Sequence, residues 1–302
     1  MKRIGTLLVV LVLFFILFPK STNAHEHTKY QLLVAIVGII EWKKYTTNGD
    51  TAPYLLTNEY LQYAGDTVAD WYPIGLGRIG YADDFEAYLS VITDVVKKRY
   101  QTEDKLSELK STEWHRISLA ILASGGDPTN VGGINLIADG TYDRGFTTSI
   151  GAQGINGWIW GLITLDSMRY KIPAEAFYQR EDMIKEILSL QVVDGGFSFY
   201  QDNADGDMTA MAIQSLAPYY NDLKKYTYIQ KASKNEVTKS VKEVVDEALN
   251  VLSSLQMPDG DFKSWDEENV ESTAQVVIAL TALGINPLTD SRFIKNDQTL
   301  LD

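Results

Sequence analysis

The chain has no cysteine. Disulfides, thiolate nucleophiles, thiolate zinc sites and lipid attachment at a cysteine are therefore excluded, and the fold rests on its apolar core alone. Histidine is nearly as scarce, with only His25, His27 and His115. No H-E-x-x-H, no Ser/His/Asp arrangement and no glycine-rich phosphate loop occurs. Basic charge is in deficit too: 27 Lys and Arg stand against 40 Asp and Glu, a net charge of −13. So acidic a chain does not hold a polyanion by counterion release, and nucleic acid is not an expected partner. No cofactor is expected.

The amino terminus is where apolar residues concentrate. Lys2 and Arg3 precede a nearly unbroken apolar run of fifteen residues, Ile4 to Phe18, short for a membrane span. Thr22 and Ala24 supply the small residues of a cleavage site after Ala24. Residues 1–24 are thus expected to be an export signal and 25–302 the mature protein, secreted or held at the cell surface without a membrane span. Loss of Lys2, Arg3 and Lys20 leaves 24 basic against 40 acidic residues, a balance of −16. His25 and His27 would then open the mature chain, where a free amine and a third-place histidine chelate copper or nickel.

The second half repeats itself. "SLQVVDGGF" (Ser189 to Phe197) recurs 65 positions later as "SLQMPDGDF" (Ser254 to Phe262). "TAMAIQSL" from Thr209 recurs 64 positions later as "TAQVVIAL" from Thr273. "AILASGGDP" (Ala120 to Pro128) echoes "ALTALGINP" (Ala279 to Pro287). Self-similarity of this order marks an array of like units. In "VTKSVKEVVDEALNVLSSL", Val237, Val241, Val244, Val245, Ala248, Leu252 and Leu255 share one helical face, as do Met183, Ile184, Ile187, Leu188 and Leu190 in "REDMIKEILSL". Further helices are expected at Gln31–Tyr45, Val68–Ile79, Asp84–Lys98, Glu113–Ser124 and Gly157–Ser167. Period-two alternation is nowhere sustained, so the expectation is an all-α chain. Helices apolar all round, as in "STAQVVIALTALG", belong inside an outer amphipathic layer.

"LQ-x-x-DGGF" followed by Asp-x-Asp-x-Thr-Ala resembles the prenyltransferase and squalene-cyclase repeat group. The wider pattern is similar to secreted bacterial surface proteins carrying that repeat, through "DWYPIGLGRIG", "WHRISLAILASGGDPTNVGGINLI", "NGWIWGLITLDS", "DMTAMAIQSLAPYY" and "STAQVVIALTALGINP". More distantly it resembles the helical domain of cobalamin carriers. The resemblance implies an α/α toroid of inner and outer helices over 25–302, with the ring incomplete at Ser272–Leu283 because the last unit lacks most of its second helix. It implies binding of a small molecule or a partner protein, without catalysis. The alternative it carries is a class II terpene cyclase-like enzyme, in which an aspartate of this motif is the general acid. Asp205 and Asp207 match the motif, but Met208 stands where those cyclases keep another aspartate.

The stretch "QDNADGDMTAMAIQSL" has three open readings. Asp205 and Asp207 could be that acid site; they could cap the following helix, as Asn269 and Glu271 would before Thr273; or Asp202, Asn203 and Asp205 could hold calcium, although Gln201 and Ala212 replace the first and last ligands of the usual loop. Trp158, Trp160, Phe197, Phe199, Tyr200 and Trp265 cluster at helix starts and turns, as core filling or as the lining of a ligand mouth. His115 is expected to be a packing or surface residue. The export reading is checked by amino-terminal sequencing of native protein, which should begin at His25; an intact Met1 on membrane-bound protein would show an anchor instead.

Overall fold

The computed structural model describes residues 29–49, 52–200, 203–264 and 267–302. The expected signal, His25, His27, Asp202 and Trp265 lie outside them. The described chain is mostly helical, with α1 (Lys29–Asn48), α2 (Asn58–Leu61), α3 (Trp71–Ile79), α4 (Phe85–Arg99), α5 (Thr112–Ala123), α6 (Leu136–Gly140) and α7 (Ile155–Asp166). There follow α8 (Arg180–Ser189), α9 (Gly206–Leu216), the strands β1 (Lys225–Ile229) and β2 (Glu236–Ser240), and α10 (Val241–Leu255). Two short strands, β3 (Lys263–Ser264) and β4 (Glu267–Glu268), precede α11 (Val270–Ala282).

The all-α expectation is corrected by the two antiparallel hairpins, β1–β2 and β3–β4. In β1, Tyr226 and Tyr228 are buried while Lys225, Thr227 and Ile229 face solvent, an alternation only five residues long. The helix expected from Val237 starts later. Ser240 Oγ accepts the Glu243 amide at 3.2 Å, and Glu243 accepts the Ser240 amide at 2.6 Å. This capping box fixes the start of α10 and leaves Val237 in β2.

Alternate helices are neighbours. Helix α3 packs on α5, α5 on α7, α7 on α9 and α9 on α11, while α6, α8 and α10 lie against α5, α7 and α9. The row α3–α5–α7–α9–α11 is curved. Although α5 lies between α3 and α7, Trp71 and Trp160 reach across it with ring centroids 5.4 Å apart. Among the described residues the row forms no closed barrel. On α11, Val276, Ala279 and Leu280 are buried, whereas Val270 and Ile278 are exposed. Among the described residues no helix is long and apolar enough to cross a membrane.

Buried side chains form two groups, Ile40 to Leu136 and Ile137 to Leu300. The first contains a satisfied ion network. Fully buried Asp70 accepts from Gly65 N, Tyr88 Oη and Arg116 Nε at 2.9, 2.9 and 3.1 Å, and Arg116 grips Glu113 bidentately at 2.8 Å. Between the groups, α5 and α7 meet at a polar seam. Ser111 Oγ donates to the Ile150 carbonyl at 2.9 Å, and Arg144 lies over the Trp114 ring at 4.2 Å. Gly157 permits this approach, because a Cβ there would sit 1.8 Å from the Ile150 oxygen.

His115 is buried in the same seam. Its Nε2 meets the Gly140 carbonyl at 2.7 Å, so Nε2 carries the proton, and Nδ1 is without a partner. Burial pushes the imidazole down from 6.5 to about 4; the Gly140 hydrogen bond opposes it, and the nearby Arg144 charge adds to it. The folded value is depressed, so the stability that follows from keeping it neutral is present above pH 6.5 and is lost as pH falls toward about 4. That loss should approach about 3 kcal/mol in urea unfolding. His115→Gln should flatten this part of the pH profile; an unchanged slope in the variant would assign the acid sensitivity elsewhere.

Candidate functional site

The repeated motif is a hydrogen-bonding unit whose main bonds recur in both copies, although Thr209 Oγ1 donates to the Phe197 carbonyl and Thr273 Oγ1 to the Asp261 carboxylate and the Asn269 carbonyl. In the first copy Gln191 Nε2 donates to the Gly195 carbonyl at 2.7 Å; in the second Gln256 Nε2 donates to Gly260 at 2.9 Å. These turns need glycine, since Gly195 and Gly260 have φ of 100° and 98°. The amide of Phe197 donates to Thr209 Oγ1 at 3.0 Å, and that of Phe262 to Thr273 Oγ1 at 3.1 Å. Asp205 and Asn269 return their own amides to the Phe197 and Phe262 carbonyls, each at 3.0 Å. Each phenylalanine is thereby driven into the core between two helices with its main chain paired on both sides.

Helix starts follow from the same unit. Asp205 is the N-cap of α9, accepting the Met208 amide at 2.7 Å, and Asn269 is the N-cap of α11, accepting the Ser272 amide at 3.0 Å. Asp207 and Glu271 lie inside the first turns, where their charge suits the positive helix end. Burial raises the Asp205 carboxyl above its usual range, the Asp207 charge adds to that, and the Met208 amide opposes it. No described residue makes a hydrogen bond or ion pair with the Asp207 carboxylate, and its neighbour Met208 is buried.

Between the equivalent loops of the two copies lies a cleft of about 650 Å³. Its apolar walls are Phe199, Tyr200, Met208, Leu255 and Phe262; Asp205, Asp207 and Lys263 add charge. Phe199 and Tyr200 meet edge to face at 5.0 Å and are 42% and 67% exposed. The cleft thus joins two rings free of core duty to carboxylates at a helix start.

The six aromatic candidates do not form one site. Phe199 and Tyr200 line the cleft, while Phe197 is wholly buried as the plug of its repeat. Trp160 meets Trp71 at a tilt of 59° across α5, and Trp158 packs on Tyr178 at 5.1 Å, beside a different groove. Of the calcium candidates, Asn203 borders the cleft and Asp205 is the cap; among the described residues no group of three or more His, Asp or Glu is placed to hold a metal ion. Sequence reasoning passed over Leu255, Phe262 and Lys263. The 65-residue repeat could have found Phe262, because the second turn must sit beside the loop of the first.

Comparison of the chain with protein-family models, with curated proteins and with solved structures finds no match.

Asp205→Ala should cost about 0.5–2 kcal/mol through loss of the cap, whereas Asp207→Asn should leave stability nearly unchanged. A raised folded value stabilises most below the ordinary aspartate range, about pH 4, and that advantage fades as pH rises through the raised value. Relative to Asp205→Asn, the wild type should therefore lose stability in urea titrations between acid and neutral pH. A gap independent of pH would show that Asp205 titrates normally.

Proposed function

We propose that the chain is an exported, non-catalytic binding protein of the prenyltransferase and squalene-cyclase repeat type. In this reading its alternating helices are an arc of an α/α toroid, and the cleft at the start of α9 is the ligand site. One observation carries the proposal: exposed Phe199 and Tyr200 share a concave wall with the carboxylate of Asp207, which no described residue pairs. Ligand sites typically combine such an apolar lining with a few convergent polar groups in about 300–1,000 Å³. The ligand class that fits is a small amphipathic molecule, with an apolar body against the rings and a cationic or donor group toward Asp207.

Two features support binding over catalysis. A general acid of the cyclase kind needs a partner that holds its proton. Asp205 directs an oxygen to the Met208 amide, and Asp207 has the buried thioether of Met208 beside it in sequence. The packing of alternate helices on one another and the shared main hydrogen bonds of the two repeats support the toroid.

Thermal-shift measurements on residues 25–302 with geranylamine and geraniol would test this. Geranylamine should raise Tm more than geraniol, and Phe199→Ala with Tyr200→Ala should abolish both shifts while the unliganded protein melts as before. A shift that survives the double substitution, or none with either compound at about 1 mM, would reject the cleft as the site.

A further inference from the structure

A second concavity, of about 520 Å³, lies between α8 and β1. Its strand wall is a free edge. Gln230 N donates to the Asn235 carbonyl at 2.9 Å. Stepping by two along the register, Tyr228 with Val237 and Tyr226 with Lys239 are hydrogen-bonded pairs; Ile229 with Glu236 and Thr227 with Thr238 are not. The 2.9 Å contact between the Thr227 and Thr238 hydroxyls agrees, because unbonded pairs hold their side chains closer. The main-chain groups of Thr227 and Ile229 therefore point away from β2. They face α8, the side to which the next residue in phase, Lys231, donates its amide, reaching the Ser189 carbonyl at 2.8 Å. No described residue takes up the Thr227 or Ile229 main-chain groups on that side.

The other walls give this edge a character. At one end, Trp158, Tyr178 and Phe177 meet edge to face, at 5.1 Å and 4.7 Å between successive centroids, and Phe177 is half-exposed. On the helix wall, Asp182 is committed to the Gln179 amide at 2.8 Å, and Glu186 is paired with Lys231. Lys185 also lines the groove and has no ion pair or hydrogen bond with a described residue. The groove thus combines main-chain groups two residues apart that no described residue takes up, an aromatic recess and an ammonium group, Lys185, that makes no ion pair with a described residue.

We propose that this groove binds an extended peptide segment. The peptide adds a strand to β1 through the main-chain groups of Thr227 and Ile229, sets one apolar side chain among Trp158, Phe177 and Tyr178, and brings an acidic side chain to Lys185. Edge pairing supplies affinity in such recognition and alternate side-chain recesses supply selectivity. A lone small solute would leave the paired spacing of the edge unused. The site is separate from the cleft at α9 and does not depend on what that cleft binds.

The test uses residues 25–302 and a pool of capped hexapeptides with Phe or Leu fixed at the third position and the rest randomised. Peptides retained by the protein are read by mass spectrometry. Retained members should be enriched in Asp or Glu, and Lys185→Gln should erase that enrichment. Ile229→Pro removes the outward amide together with the Ile229 side chain and spares the β1–β2 ladder, which does not use that amide; Ile229→Ala removes the side chain alone and serves as its reference. Against that reference, Ile229→Pro should weaken retention about tenfold, the size of one lost hydrogen bond, while circular dichroism shows an unchanged melt. Should that variant unfold, N-methylation of the best peptide at successive amides does the same from the other side, and the loss should fall on alternate positions. Phe199→Ala with Tyr200→Ala should leave retention intact. Retention unaffected by Ile229→Pro and by every N-methylation would overturn the proposal. So would retention of neutral oligosaccharides with no peptide held above background.

Discussion

A main-chain amide buried with an aromatic plug has to find an acceptor, and the repeat half is organised around that requirement. Phe197 and Phe262 are fully buried, and rings of that size remove a large apolar area from water. Their amides go with them, and an unpaired buried amide costs about 1–3 kcal/mol. Thr209 and Thr273 supply the acceptors from the following helix. The pairing sets the rotation of α9 and α11 about their axes, so it also decides which residues cap those helices and which face the cleft. A hydroxyl is needed at that place and a methyl beside it fills the core, which accounts for threonine in both copies.

The two candidate surfaces arise where the units differ. The first copy leaves Phe197 through an irregular loop bearing Phe199 and Tyr200; the second leaves Phe262 through the β3–β4 hairpin. These are equivalent positions in adjacent units, and the cleft is the space between them. The β1–β2 hairpin is inserted elsewhere, between α9 and α10, and ion pairs from Lys224 to Glu181 and Lys231 to Glu186 tie it to α8. The scaffold is periodic and its candidate surfaces are the departures from that period, as expected where function sits on loops carried by a rigid frame.

Helices were the most legible part of the chain, because a 3.6-residue period sustained over ten or more residues has few rivals. The α9 start was legible as an acidic cluster, but which aspartate caps depends on backbone angles, and Asp205, extended at φ −115°, is the one that accepts. Aromatic residues could be counted in the sequence but not sorted. Phe197 and Phe199 are two residues apart, a spacing that on a regular strand would put both rings on one face; the chain bends at Phe199 and Tyr200 instead, so Phe197 is buried and Phe199 is exposed. Hairpin β1–β2 was missed because its alternation is short and its turn, "QKASKN", lacks glycine; Lys234 takes the left-handed conformation instead, with φ 62°.

The hydroxyl-to-amide pairing also bears on how the chain finds its fold. Phe197 and Thr209 are 12 positions apart, and Phe262 and Thr273 are 11. Closing so short a loop costs little chain entropy, and the cost rises only slowly with length. Each turn and the helix after it can therefore form before any distant partner arrives, with stacking on the neighbouring unit following as a separate step. The groups of low contact order would then be the turns at Gln191 and Gln256, and the late events would be the docking of β1 on α8 and the closure of the α5–α7 seam, whose contacts join residues far apart in the chain.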